Sequence, residues 1–340
     1  MALFVVLSLL LVQYGAIAAA AALAVDTLFR VDFSTDEFGG CRTAGRTAIQ
    51  NMLDEAETLA GVGVQLVDNY GQTSGEAKRL LDVFVNGNTD AHRTTMKNYF
   101  SGVQAFLARN ENVPNGGKPY LFCSDTWLDK NTLKSEARDS EGNSFPKGDL
   151  SGLPALIENV PAYMDKRNQN PRTLRTPYWS FIHNQYLFDA YYSSKGGFCS
   201  KDENIAVTSD LLLPATVTLC PKLFRQPVSG LGVQITPLTS SVIPLRPRDI
   251  PNNAQRLSDI LPSSTTLYHE LFHLIHGSAN TYPAGGEKYT IIDLGKLSAD
   301  DALANPETYA AVSIAYWYTL NVAPVNNNRV EFYGFFATRG

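Results

Sequence analysis

Tyr268-His269-Glu270-Leu271-Phe272-His273-Leu274-Ile275-His276-Gly277 is the stretch from which the rest of the chain is read. At 3.6 residues per turn, Leu267, Leu271, Leu274 and Ile275 share one apolar face, while His269 and His273, one turn apart, project from another. Imidazoles at that spacing can converge on one zinc ion, and Glu270, beside the first, can reach a water at the metal and take its proton. Ser263 and Ser264, after Pro262, offer hydroxyls to cap the start of such a helix, and Gly277 can take the left-handed conformation that ends it. The competing reading is an accidental H-E-x-x-H on an ordinary amphipathic helix. Three of the chain's five histidines fall within these residues, which weighs against accident.

Two imidazoles do not complete the site, since a catalytic zinc takes a third protein ligand and keeps one position open. His276 lies two turns beyond His269, and a straight helix cannot bring residues i, i+4 and i+7 onto one ion. It also lacks the longer H-E-x-x-H-x-x-G-x-x-H spacing, so helix capping or support of a ligand is its simpler role. Asp293 follows the short β-prone run Tyr289-Thr290-Ile291-Ile292, itself preceded by a turn at Gly285-Gly286 that would let the chain fold back over the helix. Asp293 is therefore the expected third ligand, with Glu287 from the same loop as the alternative.

With 340 residues, 44% of them hydrophobic, the chain can bury a sizeable core. A net charge of -5, with Lys and Arg scattered, argues against a nucleic-acid surface. No Walker-type loop, G-x-G-x-x-G, G-x-S-x-G or C-x-x-C is present. Leu3 to Val12 is apolar except for Ser8, and small-residue patterns at Ala16-Ile17-Ala18 and Ala22-Leu23-Ala24 follow, so residues 1–24 read as a secretory signal. An uncleaved membrane anchor competes with that reading, because no charge precedes Asp26. In a secreted chain, Cys41, Cys123, Cys199 and Cys220 suggest two disulfides. Local closure favours Cys199 with Cys220, hence Cys41 with Cys123. No N-x-S/T sequon is present.

Helical spacing marks Cys41 to Leu59, Gly75 to Val85 and Thr94 to Arg109. Short β-prone runs follow at Tyr120 to Cys123, Ile205 to Thr208 and Thr216 to Cys220. Ser124 to Leu150 reads as a solvated loop, and its Asp125, Asp129 and Glu141 lack calcium-loop spacing. The aromatic-rich Pro177 to Tyr192, with His183, reads as packing under a loop, and Pro221 to Pro251 as a long connection. Pro306 to Tyr318 forms another helix, with Asn305 as N-cap and Glu307 in its first turn. No internal repeat or linker divides the chain, so residues 25–340 are expected to form one domain of α+β class, mainly helical with a small sheet.

His269-Glu270-x-x-His273, a downstream aspartate, and Leu297-Ser298-Ala299-Asp300-Asp301-Ala302-Leu303-Ala304-Asn305-Pro306-Glu307-Thr308-Tyr309-Ala310 together resemble the deuterolysin or aspzincin group of secreted metalloendopeptidases, found largely in fungi. Val217-Thr218-Leu219-Cys220-Pro221 is similar in a looser way. The resemblance implies a zincin-like fold, His269 and His273 as zinc ligands, Glu270 as catalytic base and Asp293 as the aspartate ligand. It also implies that Glu307 lies near the pocket for the residue after the scissile bond. One element of the family pattern is missing: its G-T-x-x-D-x-x-Y-G tyrosine has no counterpart, because Leu294, Gly295 and Lys296 follow Asp293. Tyr289, Tyr309 or Lys296 could serve the oxyanion instead, or nothing does.

The expected function is a secreted, extracellular zinc endopeptidase with one ion, acting as a monomer on peptide or protein substrates, with no nucleic acid or membrane partner. The alternative is a secreted zinc-binding protein without catalysis, and a third reading is a structural domain without metal.

Overall fold

The computed structural model describes residues 21–73, 75–147, 152–169, 176–188, 197–201, 203–224, 255–322 and 329–339. The signal-like residues 1–20 and most of the expected connection, residues 225–254, lie outside the described residues. The fold is mixed α+β. In chain order the elements are α1 (Val25–Leu28), α2 (Arg46–Asp68), α3 (Glu76–Phe84), α4 (Asp90–Arg109), β1 (Tyr120–Phe122), β2 (Leu128–Lys130), α5 (Pro161–Gln169), β3 (Tyr178–Ser180) and β4 (Gln185–Leu187). They continue with β5 (Ala206–Ser209), β6 (Thr216–Leu219), β7 (Gln255–Arg256), α6 (Ser264–His276), α7 (Ile291–Leu294), α8 (Ala299–Leu303), α9 (Pro306–Asn321), β8 (Val330–Tyr333) and β9 (Phe336–Arg339).

Helix α6 lies at the centre because its sequence is apolar on more than one side. Leu267, Leu271, Phe272 and Leu274 are all buried, at about 1.5–3 kcal/mol each for removal from water. Helices α2, α4 and α9 pack on one side of α6, and strands β5 and β6 approach it from another. The sheet order is β1-β6-β5, with β6 parallel to β1 and antiparallel to β5, which leaves β5 as the edge strand beside α6. Helix α9 is buried over most of its surface, in keeping with its run of Ala, Val, Ile and Tyr.

Two departures from expectation concern the middle of the chain. Ser124 to Leu150 is not wholly a loop: β2 pairs with β3, and β3 with β4, in a second three-stranded sheet. The anchor is Trp127, fully buried, whose Nε1–H donates to Thr218 Oγ1 at 3.1 Å. The aromatic run 177–188 supplies β3 and β4, and His183 bridges Ser180 Oγ and the Pro214 carbonyl at 2.8 and 2.9 Å. A third small sheet joins β7 to the hairpin β8–β9, whose turn holds Gly334 at positive φ.

Both disulfides form as local closure suggests, Cys41 with Cys123 and Cys199 with Cys220. Among the described residues, no helix is long and apolar enough to cross a membrane.

Candidate metal centre

The two histidines of α6 meet as their spacing requires: His269 Nε2 and His273 Nε2 lie 3.2 Å apart. Both side chains are nearly buried, and so is a third group that faces them, the carboxylate of Glu287. Its Oε1 is 2.9 Å from His273 Nε2 and its Oε2 is 3.6 Å from His269 Nε2. Among the described residues, His269, His273 and Glu287 are the one group of three or more such side chains close enough to share a cation.

The remaining ring nitrogens show which lone pairs are left for that cation. Nδ1 of His269 is 3.1 Å from Glu307 Oε2, and a carboxylate only accepts, so this nitrogen carries a proton. Nδ1 of His273 is 2.7 Å from Thr281 Oγ1, whose own proton goes to the Gly277 carbonyl at 2.9 Å. Thr281 must therefore accept from His273. With Nδ1 committed on both rings, the Nε2 atoms are the ones left to turn toward a divalent cation, which would take the place of the proton that the carboxylates otherwise favour on His269.

The loop after α6 explains how Glu287 arrives there. Gly277, at φ +79°, ends the helix as expected, and Asp210 at the end of β5 fixes the next residue by accepting from Ser278 N and Oγ. A turn closed by Gly286 N–H on the Pro283 carbonyl sends the chain back. Asn305 then grips the backbone of Lys288 in both directions, accepting from its N–H and donating to its carbonyl, each at 3.0 Å. That double bond fixes the residue adjoining Glu287. Asn305 does stand at the N-cap of α9, but its side chain grips the loop and makes no cap bond to the helix backbone.

Asp293, the expected third ligand, is elsewhere. It is half-exposed, and its carboxylate accepts from Thr290 Oγ1 at 2.6 Å and from Lys296 Nζ at 2.9 Å, the first contact closing the first turn of α7. The fold-back expected from Gly285-Gly286 does occur, but the residue it delivers is Glu287. His276 also points away: its Nε2–H donates to the Tyr99 carbonyl at 2.9 Å and its ring stacks on Tyr99. Gly102 makes room for it, since a Cβ there would stand 2.6 Å from His276 Cε1.

The substrate-side residues divide similarly. Glu307 is buried and committed to His269, so it is not a free carboxylate for a substrate side chain. Tyr309 is fully buried with its hydroxyl on the Leu303 carbonyl at 2.8 Å, and Lys296 is taken by Asp293. Tyr289 alone of these reaches the centre: its ring stacks over His269 and its hydroxyl donates to Glu287 Oε2. Glu270 is nearly buried, and its Oε2 accepts from Thr208 Oγ1 at 2.7 Å.

Charge is dense here. Burial would lower the His269 pKa, but Glu287 and Glu307 outweigh it and hold the ring up at about 10. Burial would likewise raise Glu287, and the two histidines instead pull it far below the carboxylate range. Burial and the Glu287 carboxylate push the Tyr289 phenol well above its usual range, so it remains a donor at neutral pH. The helix capping foreseen at Ser263 and Ser264 is not made: Ser263 forms no side-chain cap bond, and Ser264 Oγ is buried without a partner among the described residues.

Sequence reasoning missed Thr208, Thr281 and the loop-gripping role of Asn305. Thr281 lies eight residues after His273 and carries no motif signal, and Thr208 is 62 residues from the glutamate it touches. No protein-family model, curated protein or solved structure matches the chain.

Proposed function

We propose that the chain is a secreted zinc-dependent endopeptidase, holding one zinc ion on His269, His273 and Glu287, with Glu270 as general base. The observation that carries this reading is the pairing of a buried three-ligand cluster with a separate carboxylate that is not one of the ligands. Metal capture alone needs no such base. The resemblance to the deuterolysin group, zincin-like in fold, supports the same reaction, with Glu287 in the role that relatives give to an aspartate.

Zinc, when bound, supplies Lewis acidity toward the scissile carbonyl and lowers the pKa of a water to about 7. The chain's own groups do the rest. Glu270 takes the proton of the attacking water and returns it to the departing amine as the C–N bond breaks. Tyr289, beside the ligands, would have to turn the hydroxyl proton it gives to Glu287 Oε2 toward the developing oxyanion to serve as its donor. Glu307 and Thr281 keep each imidazole in the tautomer that offers Nε2. Strand β5, paired on one side among the described residues, would offer its other edge to an extended peptide. The two disulfides and the signal-like first 24 residues support export.

Glu270→Gln is the test. It should leave zinc stoichiometry unchanged and lower the hydrolysis of denatured casein or histone by at least about a hundredfold. Turnover retained in that variant refutes the mechanism. The near-complete burial of all three ligand side chains favours a second reading, a non-catalytic zinc-binding protein on the same fold. That reading requires that wild-type protein with bound zinc cleave neither substrate.

A further inference from the structure

Thr208 lies on the edge strand β5, and its side chain points at α6. Its Oγ1 is 2.7 Å from Glu270 Oε2 and 3.1 Å from the Glu270 carbonyl oxygen. A hydroxyl donates one proton, and that helical carbonyl already has the N–H four residues on as its natural partner. The shorter contact therefore takes the Thr208 proton. Glu270 Oε1 has no partner among the described residues. The contact is also held from outside, because Asp210, two residues along, binds Ser278 N at 2.6 Å and Ser278 Oγ at 2.9 Å at the end of α6. Strand and helix are pinned to each other at two points flanking the second half of α6.

The alternative open to Glu270 explains why this matters. The terminal torsion of a glutamate is broad, and an unrestrained carboxylate near a buried cation is drawn to it as a further ligand. A general base and a ligand are different functions of the same group.

We infer that Thr208 is the positioning residue for Glu270, binding Oε2 so that the carboxylate stays out of the metal's coordination sphere and leaves Oε1 to take and return the proton. This rests on the hydrolase reading above. It follows that Thr208 needs its hydroxyl, while its methyl group is dispensable.

The test uses the full chain as Thr208→Val and Thr208→Ser, loaded with zinc for kinetics and with cobalt(II) for visible absorption. Losing a hydrogen bond to a charged group should lower kcat about ten- to a hundredfold in Thr208→Val, with KM and zinc stoichiometry within about twofold of wild type. The cobalt spectrum of that variant should weaken toward higher coordination as the carboxylate joins the metal. Thr208→Ser should restore both kcat and spectrum. Wild-type kcat and spectrum in Thr208→Val overturn the inference, and so does equal impairment of the Ser and Val variants, which would mark a packing role. Should the wild-type protein cleave nothing, the hydrolase reading fails by itself. The cobalt spectra of wild type and Thr208→Val then still decide whether Thr208 holds the carboxylate off the metal.

Discussion

If the proposed zinc site is right, replacing Glu287 by Ala should abolish tight zinc binding, and replacing Asp293 by Ala should not. The reason is visible in three distances. Zinc bonds of about 2.0–2.1 Å at tetrahedral angles put ligand atoms about 3.3–3.4 Å apart. The separations here are 3.2 Å between the two Nε2 atoms, and 2.9 and 3.6 Å from them to the Glu287 oxygens. The two nitrogens already stand near that spacing, and each faces one of the two Glu287 oxygens, so all three side chains are within reach of one ion. Structural zinc sites bind with about 10–16 kcal/mol, which shared among four ligands is roughly 3 kcal/mol each. Glu287→Ala should therefore weaken zinc by about two orders of magnitude or more. Asp293 is half-exposed and, among the described residues, its carboxylate pairs with Thr290 and Lys296, contacts worth about 1 kcal/mol at most, so Asp293→Ala should keep zinc affinity within about twofold. Competition against a chromophoric chelator measures both, with circular dichroism to show that each variant is folded. Equal losses in the two variants, or full affinity in Glu287→Ala, would refute the ligand assignment.

Stability offers two further expectations. Glu57 is buried on α2 with Oε2 unpartnered among the described residues, and burial raises its pKa above the ordinary value of 4.5, with Asp54 adding to the rise and Gln104 partly offsetting it. The folded state then holds that proton at pH values where the unfolded state has released it, so stability falls as pH rises from about 4.5 toward the folded pKa. Glu57→Gln should therefore raise the melting temperature relative to wild type more at pH 7 than at pH 4, and a gain that does not depend on pH contradicts this. The two disulfides close loops of 82 and 21 residues, which chain entropy values at about 4.5 and about 3.3 kcal/mol. Urea unfolding of the paired Cys→Ala variants should rank Cys41–Cys123 above Cys199–Cys220, and the reverse order would count against the entropic account.

Local chemistry was legible in the sequence and distant chemistry was not. His269, Glu270 and His273 declare themselves because helical spacing alone brings i and i+4 together. The helices α2, α3 and α4 follow from periodicity, and the cysteine pairing from sequence distance. The placement of Glu287 beside the two histidines depends on Asn305 holding Lys288, a contact across 17 residues that no local pattern encodes. Strand β2 went unseen for a related reason. Leu128-Asp129-Lys130 shows no convincing alternation and pairs because Trp127 beside it is buried against Thr218. The serines before α6 misled because capping propensity is a competition: Thr265 Oγ1 takes the Pro262 carbonyl at 2.6 Å, and Ser264 turns inward.

What separates a metal-binding H-E-x-x-H from an accidental one is the set of partners that face it from other elements. On an isolated helix each imidazole is free to carry its proton on either nitrogen, and half of those states present an N–H where a cation would sit. Here α9 supplies Glu307 to His269, and the loop after α6 supplies Thr281 to His273, so both protons are drawn to Nδ1. The same loop brings in Glu287, and β5 brings Thr208 to Glu270. The four polar side chains thus come from three separate places in the fold, each aimed at a different atom of the motif. An accidental motif on an amphipathic helix has no reason to acquire them, because burying two imidazoles and three carboxylates costs stability that apolar residues would not.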